Sequence, residues 1–484
     1  MRKAYLLAGI LLLCGQVDAV RAQDAKPTPG AGGGPLTSTA QAETTHLTSG
    51  NVTSSLQDTL GPAGDPGGFR AFLKGKGVTY SLAYIGEVLG NPTGGERRGA
   101  IYEGRLGIQL DVDLDTLAGC KGAAFHASMF QIHGTGLSRY FVGNLMDVSG
   151  IEALPATRLF ELWYEQKTPD GQWALKFGQL GIGTEFLVSQ TATLFVNTTY
   201  GWPEIAMADL PSGGPAYPFA APAVRLKYTP NQNFSFMLGV FDGDPAGPAG
   251  PGDDPEPQRR NRTNTSFRTN DPALLIVQGS YAYNFEEGAV DEPGVVTLGY
   301  WHHFGRFDDQ RLDTAGLSLA DPSSTGIARR LRGDDGVYAI IDQTLFRERD
   351  KQNEGMSVFA RVSASPADRN LVDLYADAGL AYKGLIEGRP KDTVGISAAY
   401  TRISQRAHDL DRDTILATGT AMPRRNFEAV IEATYQAVIT PGLTVQPDFQ
   451  YVFYPGGNTA NSRDPGEGRI RNAAVFGVRA TARY

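Results

Sequence analysis

The sequence predicts an all-β fold, a transmembrane antiparallel β-barrel of about 16 strands with short periplasmic turns and long extracellular loops. The composition supports this, because 59 glycines, 20 tyrosines and 23 phenylalanines against 7 methionines suit strands and turns. The mean hydropathy is −0.25, and downstream of the N-terminus no apolar stretch has the length of a membrane helix. A membrane barrel is compatible with this low hydropathy because only every second residue of each strand contacts lipid.

The N-terminal residues predict export. Arg2 and Lys3 precede the apolar stretch Ala4–Cys14, and small residues ending at Ala22 offer a cleavage site, so residues 1–22 are predicted to be a signal peptide. Residues 23–66 are rich in Pro, Gly, Ser, Thr and Ala and predict a flexible periplasmic leader. Ordered structure is expected to begin near Gly67, so that residues 67–484 form the barrel domain.

Alternation of apolar and polar residues is clearest at the C-terminus. Phe476, Val478 and Tyr484 fall on one face of the last strand, and Arg479 and Thr481 on the other. A terminal aromatic residue on such a strand resembles the assembly signal of bacterial outer-membrane barrels, which implies the barrel assembly machinery as a partner. A soluble sandwich would also alternate, so this pattern alone does not decide the fold.

The spacing of the strands supports a barrel. Turn signals at 168–171, 229–231 and 440–442 alternate with long Gly- and Pro-rich connections, as in outer-membrane barrels with an even strand count. The predicted strands are Thr79–Val88, Gly99–Val112, Gly122–Ile132, Thr157–Lys167, Trp173–Leu180, Ala223–Tyr228, Phe234–Phe241, Ala273–Tyr283, Val295–Phe304, Gly336–Phe346, Gly355–Ala364, Tyr375–Lys383, Asp392–Ser404, Phe427–Val438, Leu443–Tyr454 and Ala473–Tyr484.

A barrel of this size encloses an aqueous channel, whereas side chains fill a barrel of about eight strands. The connection from Leu180 to Pro222 is too long for a simple turn. We expect it to fold into the lumen and to set the narrowest point of the pore. Trp202, Glu204 and Asp209 are its candidate constriction residues.

Alternation also assigns the residues that face the lumen. Glu87 on the first strand and Glu103 and Arg105 on the second are predicted to point inward. On the fourth strand Glu161 and Trp163 are predicted to point inward, with Phe160, Leu162 and Tyr164 facing lipid. Mixed charges and an aromatic ring suit sugar hydroxyls and pyranose faces. The alternative is that these residues only hold the wall and the inner loop together.

The sequence gives no support for an enzyme, a cofactor or a metal site. The pair His302 and His303 lies on opposite faces of a strand and cannot chelate one metal jointly. The acidic stretch 242–256 does not have EF-hand spacing, and a solvated loop is the preferred interpretation over a calcium site. The arginines at 259, 260 and 262 are expected to neutralise that stretch or to face lipopolysaccharide. A net charge of −8 argues against nucleic acid as a partner.

Several longer motifs carry a family resemblance. They are Gly86–Asn91, Gly94–Ala100, Tyr102–Gly104, Gln131–Gly134, Gly136–Arg139, Val142–Asn144, Gly201–Pro203, Leu210–Pro218, Pro257–Asn261 and Gly299–His303. With these motifs the chain resembles the carbohydrate-selective porins, the OprB family, from about Asp65 to Tyr484. It departs from the family where Asp65-Pro66-Gly67-Gly68 replaces the usual Asp-Trp-Gly-Gly.

The resemblance implies a sixteen-stranded porin of the bacterial outer membrane through which glucose and related sugars diffuse passively. Its implied surroundings are outer-membrane lipid and lipopolysaccharide, and related porins often form homotrimers. The candidate channel lining is Glu87, Arg97, Arg98, Glu103, Arg105, His133, Arg139 and Glu161, together with Trp163 from the strand pattern. A porin for polyols or organic acids, an outer-membrane enzyme or surface-binding barrel, and a soluble sugar-binding β-protein stay open as alternatives.

Overall fold

The computed structural model describes residues 55–285, 289, 291–348, 354–464 and 468–484. Within these residues sixteen antiparallel strands form a closed barrel in which each strand pairs with its neighbours in sequence and β1 pairs with β16. The strands are β1 Val78–Gly95, β2 Gly99–Asp113, β3 Ala123–Gly134, β4 Ala156–Lys167, β5 Trp173–Leu180, β6 Ala221–Tyr228, β7 Phe234–Asp242, β8 Ala273–Tyr283, β9 Gly294–Asp313, β10 Ala328–Arg347, β11 Gly355–Ala364, β12 Val372–Lys383, β13 Thr393–Ile403, β14 Phe427–Thr440, β15 Leu443–Phe453 and β16 Arg471–Arg483.

The helical elements are short and lie before or between the strands. The α-helices are α1 Leu56–Leu60, α2 Phe69–Gly75, α3 Leu114–Ala118, α4 Glu204–Asp209, α5 Pro257–Arg260 and α6 Gln405–Thr418, with a helical turn at Pro455–Asn458. The 3₁₀ turns are Gly61–Gly64, Pro66–Gly68, Ile182–Thr184, Thr191–Leu194, Thr198–Tyr200 and Pro211–Gly213, and Ser138–Val142 is a π-helical turn. None of the helices in the described ranges is long and apolar enough to span a bilayer.

The predicted strands are confirmed, although β1, β9 and β10 are clearly longer than predicted. β9 and β10 each have 20 residues and extend well beyond the predicted Val295–Phe304 and Gly336–Phe346. Their outer halves carry many charged side chains, so the sequence there shows no alternation of apolar and polar residues from which a strand could be predicted. Arg329 pairs there with Asp309 at 2.6 Å, so polar contacts hold this part of the hairpin together.

Connections at one end of the barrel are short, and most at the other end are long. The outer loops are numbered in chain order: L1 (96–98), L2 (135–155), L3 (181–220), L4 (243–272), L5 (314–327), L6 (365–371), L7 (404–426) and L8 (454–470). The lipid-facing side of the strands carries exposed apolar side chains, among them Val88, Tyr102, Leu298 and Phe476. The buried apolar clusters instead join L2 and L3 to the inside of the wall.

A β-bulge in β4 corrects one predicted orientation. Ala127 pairs with Leu162 and Met129 with Leu159, so both Phe160 and Glu161 lie opposite the single residue Ser128. The extra residue shifts the inside–outside alternation by one position. The prediction that Phe160 faces lipid is therefore wrong, since its ring is buried and packs on Phe130 at 5.0 Å between centroids.

Ordered structure begins earlier than predicted, because α1 lies within the predicted leader 23–66. α1 begins at Leu56, capped by the Ser55 hydroxyl, and a tight turn leads to α2. The Asp65 carboxylate accepts hydrogen bonds from the amides of Arg70 and Ala71 at 2.8 and 3.0 Å, so it satisfies two amides in the first turn of α2. The predicted signal peptide and residues 23–54 of the leader lie outside the described residues.

Candidate functional site

L3 runs through the lumen and is fixed to the far wall by buried polar side chains. The carboxylate of Glu432 on β14 accepts hydrogen bonds from the amides of Val196 and Asn197 at 2.6 and 3.1 Å. The Asn197 side chain in turn donates to Gln450 on β15 at 3.0 Å. Burial protects these hydrogen bonds from competition with water. The third outer loop therefore lies inside the barrel, as the sequence predicted.

A buried arginine holds the same loop from β11. Arg361 donates to the carbonyls of Leu187 and Thr199 at 3.1 and 2.9 Å, and it forms an ion pair with Asp377 on β12. Asp342 on β10 accepts from the Ser189 hydroxyl at 2.7 Å. L3 is thus tied across the lumen to four strands that are distant from it in sequence.

The start of L3 is clamped by a second group of charges on β4 to β6. The Glu185 carboxylate forms one ion pair with Lys176, at 2.6 Å, and a second one with Arg225. Burial alone would raise the pKa of Glu185, but the two cations outweigh it and lower the pKa to about 2. Glu161 accepts from the Gly181 amide at 3.0 Å, so it belongs to this clamp.

Trp163 lies in the same clamp. Its ring stacks on His126 with centroids 4.9 Å apart, and the Lys176 ammonium lies 4.0 Å from its centroid. Glu161 and Trp163 point inward as predicted, yet neither lines the two lumenal cavities described next. They support L3, which was the alternative to a channel-lining role.

Two cavities border L3 and share Thr184 and Val188, so the loop separates them. The smaller, the eyelet cavity, has a volume of about 120 Å³. The larger, the vestibule, has about 600 Å³ and is bordered by residues near the short connections, such as Gly294, Gly355 and Thr393. The eyelet cavity is lined by Arg105, Gly150, Phe160, Gly183, Thr184, Val188, Ala192, Thr193, Phe195, Val196, Asn197, Thr198, Tyr200, Gly201, Trp202, Ala216, Tyr217 and Arg479.

Two guanidinium groups and several rings give the eyelet cavity its chemistry. Arg105 lies over the rings of Phe130 and Tyr217, 4.6 and 5.0 Å from their centroids. Arg479 forms a buried ion pair with Glu87. Planar donors beside aromatic faces can hydrogen-bond hydroxyls and stack on an apolar ring face at the same time.

Two carboxylates beside the cavity have spare acceptor capacity. Glu87 and Glu103 lie opposite each other on β1 and β2, and both are buried. One carboxylate oxygen of each has no hydrogen-bond partner within the described residues. Both glutamates point inward as predicted. Such oxygens can accept hydrogen bonds from a polar solute.

The three constriction candidates on L3 have different environments. Trp202 lines the eyelet cavity, and its indole N–H donates to the Gly213 carbonyl at 3.1 Å. Asp209 accepts from the Ser365 hydroxyl at 2.7 Å and so ties α4 to L6. Glu204 is buried, and burial, with Glu428, Asp147 and Asp209 nearby, raises its pKa well above the usual value. Only Trp202 therefore contacts the eyelet cavity.

The predicted lining role of His133 is wrong. On β3 the inward residues are His126, Ser128, Phe130 and Ile132, so His133 faces lipid. Its Nε2 lies 3.1 Å from the hydroxyl of Tyr84, on the lipid-facing side of β1. This histidine belongs to the aromatic belt of the outer wall.

Arg97, Arg98 and Arg139 also lie away from both cavities. Arg97 and Arg98 are exposed on L1, where Arg97 donates to the Tyr140 carbonyl at 2.8 Å. Arg139 on L2 forms an ion pair with Glu256 on L4. These three arginines therefore lie at the outer rim of the barrel.

Sequence reasoning did not select Arg479 and Tyr217 for the site. Arg479 is on the polar face of the last strand, so the alternation there already indicated that it points inward. Tyr217 is on L3, where no periodic pattern exists to indicate which side chains return to the wall. Its hydroxyl donates to the Ile151 carbonyl at 2.8 Å and joins L3 to L2.

The structure also shows the surroundings of the pair His302 and His303 and of Arg259 in L4. His302 lies 2.7 Å from Asp335, whereas His303 contacts the Gly243 carbonyl at 3.1 Å, so the two rings point to different surroundings. In L4, Arg259 pairs with Asp254 at 3.5 Å, in line with neutralisation of the acidic stretch. In the part of the chain that the structure describes, no three His, Cys, Asp or Glu side chains converge as metal ligands would.

The closed sixteen-strand barrel with a loop folded across its lumen defines the class of protein, which is an outer-membrane porin. Porins are channels and not enzymes. Residues 97–484 match the carbohydrate-selective porin, OprB family, and the chain belongs to that family. It is therefore a carbohydrate-selective outer-membrane porin, and sugars are its substrates.

Comparisons with individual proteins agree with this assignment. The chain is 26% identical to Porin B of Pseudomonas aeruginosa over 86% of its length and 89% of the relative's. It is 20% identical to the putative porin QuiX of Acinetobacter baylyi, over 83% and 90% of the two chains. The high-pH structure of Pseudomonas putida OprB shares the fold with a TM-score of 0.76, at 24% identity, covering 87% of this chain and 98% of that one.

Proposed function

We propose that a sugar crosses the barrel through the eyelet cavity and binds there transiently beside Arg105 and Tyr217, both of which line it. The observation that carries this proposal is the lining of that cavity, in which guanidinium groups, aromatic rings and L3 backbone surround a space of about 120 Å³. Pockets for drug-sized ligands usually have about 300–1,000 Å³, so this space suits a small solute.

The electrostatics of the cavity favour a polyhydroxylated solute over an apolar one. Arg105 and Arg479 supply donors, while Glu87 and Glu103 each have an acceptor oxygen without a partner in the described residues. A pyranose presents both donors and acceptors around its ring and an apolar face for Tyr217 or Trp202. Glucose and related monosaccharides are the proposed solutes, moving passively into the vestibule and from there to the periplasm.

L3 is the proposed constriction because it separates the two cavities and is anchored on both sides of the lumen. In this proposal Trp202 forms part of the narrow passage, whereas Glu204 and Asp209 position the loop. Contacts with lipopolysaccharide and the barrel assembly machinery, and assembly as a homotrimer, stay predictions of the sequence.

The proposal can be tested by glucose block of ion conductance in planar bilayers, with Arg105→Ala and the matched control Arg97→Ala. A charged hydrogen bond contributes about 1.5–3 kcal/mol, so the Arg105 variant should need roughly tenfold more glucose for half block. The control removes an exposed arginine of L1 and should block like the parent. Unchanged block in a folded Arg105 variant would refute the site, and conductance without sugar block in the parent would indicate a general porin.

A further inference from the structure

α2 lies on the lipid-facing side of the barrel where the first and last strands meet. The guanidinium of Arg70 lies 5.0 Å from the ring centroid of Tyr80 and 4.9 Å from that of Tyr484. Tyr80 falls on the same face of β1 as the exposed Val88, and Tyr484 on the same face of the last strand as the exposed Phe476. Since both rings face outward, Arg70 holds the helix against the outside of the wall.

This position covers a gap in the strand pairing. β1 pairs with β2 from Val78 onward, but its ladder with the last strand starts only at Leu82, whose amide donates to the Tyr484 carbonyl at 2.8 Å. Residues 78–81 therefore have no strand partner on that side within the described residues. An uncovered strand edge in a membrane leaves polar backbone groups without partners, so an element lying beside it is expected.

The segment before α2 is attached to the same region. The Tyr484 hydroxyl donates to the Gly64 carbonyl, and the Thr59 hydroxyl lies 2.9 Å from that of Thr440 at the β14–β15 turn. Because this turn is one of the short connections, α1 and α2 lie at the periplasmic end of the barrel. The helix is thus placed at the level of the periplasmic membrane surface.

One face of α2 is apolar and is largely exposed in the part of the chain that the structure describes. Phe69 and Phe72 are 59% and 61% exposed, and at 100° per residue they lie on one stripe together with Leu73. Ala71 is on the opposite side. Lys74 and Lys76 are exposed and form no ion pair within the described residues. Two exposed phenylalanines beside free cations are typical of a helix that lies in a membrane interface.

We propose that α2 is an interfacial anchor that binds phospholipid of the periplasmic leaflet. Phe69 and Phe72 insert at the boundary of the acyl chains, continuing the apolar belt of the barrel wall. Lys74 and Lys76 approach the anionic headgroup phosphates, while their aliphatic stems stay close to the apolar region. The anchor keeps α2 against β1 and closes the seam of the barrel toward lipid. This inference does not depend on which solute crosses the lumen.

Site-directed nitroxide labelling of the exported protein tests the proposal. Phe72→Cys and the matched control Ala71→Cys are each combined with Cys120→Ser and reconstituted in vesicles of phosphatidylethanolamine and phosphatidylglycerol. The label at 72 should be accessible to oxygen and shielded from a water-soluble nickel chelate. The label at 71, one position along the helix, should be accessible to the nickel chelate.

Two outcomes would overturn the anchor. Equal access of the nickel chelate to both positions would place α2 in water, and shielding of position 72 from both reagents would indicate a protein partner or a second copy. The charge component has its own measurement: Lys74→Glu with Lys76→Glu should make the label at 72 shallower when phosphatidylglycerol is present. No change in depth would remove the headgroup contact from the proposal.

Discussion

L3 and L4 both leave the barrel where its strands are shortest, β5 to β7 with 8, 8 and 9 residues, yet L3 folds into the lumen and L4 stays at the rim. L3 enters the lumen and is bound by buried polar groups such as Glu432 and Arg361. L4 covers the rim beside β4, where its Thr263 carbonyl accepts from the Leu159 amide at 3.0 Å. The buried Arg158 of β4 also donates to the Asn261 carbonyl of L4 at 2.9 Å, whereas the ion pair within L4 between Arg259 and Asp254 is exposed on both sides.

The difference shows how burial decides what a polar contact contributes. A charged group buried between L3 and the barrel wall has little access to water that could replace a lost partner, so removing the partner leaves an uncompensated charge. An exposed pair exchanges its partner for water at little cost. Mutation of the buried Arg361, which contacts L3 from β11, and of the exposed Arg259 in L4 should therefore differ strongly in effect. The following predictions proceed from the largest to the smallest effect.

Arg361→Ala should have the largest effect. It leaves Asp377 unpaired in the lumen and removes two hydrogen bonds to L3, which should lower the free energy of unfolding by about 3–5 kcal/mol. We expect a lower temperature for loss of the folded electrophoretic band, together with noisier channel currents as L3 loosens. A parent-like thermal transition and quiet currents would show that L3 does not depend on this arginine.

Glu204→Gln should change the pH dependence of stability. The raised pKa of Glu204 keeps its carboxyl protonated when folded, whereas the unfolded carboxyl ionises near pH 4.3. Its contribution is therefore complete below that pH and is lost as the pH rises toward the folded pKa. Between pH 5 and pH 9 the folded band of the parent should lose more thermal stability than that of the Gln variant.

The matched control for Glu204→Gln is Asp115→Asn, an exposed carboxylate in the short connection between β2 and β3. It should retain the pH dependence of the parent. If Glu204→Gln and Asp115→Asn behave alike, the carboxyl on L3 does not contribute to the loss of stability at high pH.

Arg259→Ala should have the smallest effect. The side chains of Arg259 and Asp254 are 58% and 37% exposed, and such pairs contribute about 0–1 kcal/mol. The folded band, the conductance and the glucose block should all match the parent. A loss comparable to that of Arg361→Ala would mean that this exposed ion pair contributes as much to stability as the buried one.

Much of the architecture could be predicted because, in each strand of a membrane barrel, apolar residues that face lipid alternate with polar residues that face the lumen. The inward positions of Glu87, Glu103 and Arg105 followed from alternation alone. The orientation of Phe160 did not, because a one-residue bulge reverses the pattern and leaves no signal in the sequence. His133 was carried over from family resemblance, and the strand pattern places it outside.

The sequence by itself determined the strand-rich barrel, its number of strands and the long connection that enters the lumen, because alternation and turn residues are local properties. Only the tertiary structure decided which side chains meet across the lumen. Arg105 reaches Tyr217, and Arg361 reaches the carbonyl of Thr199. These contacts join residues that are more than a hundred positions apart in the sequence. They depend on the path of L3, and that path is set by its irregular backbone together with the packing of its side chains.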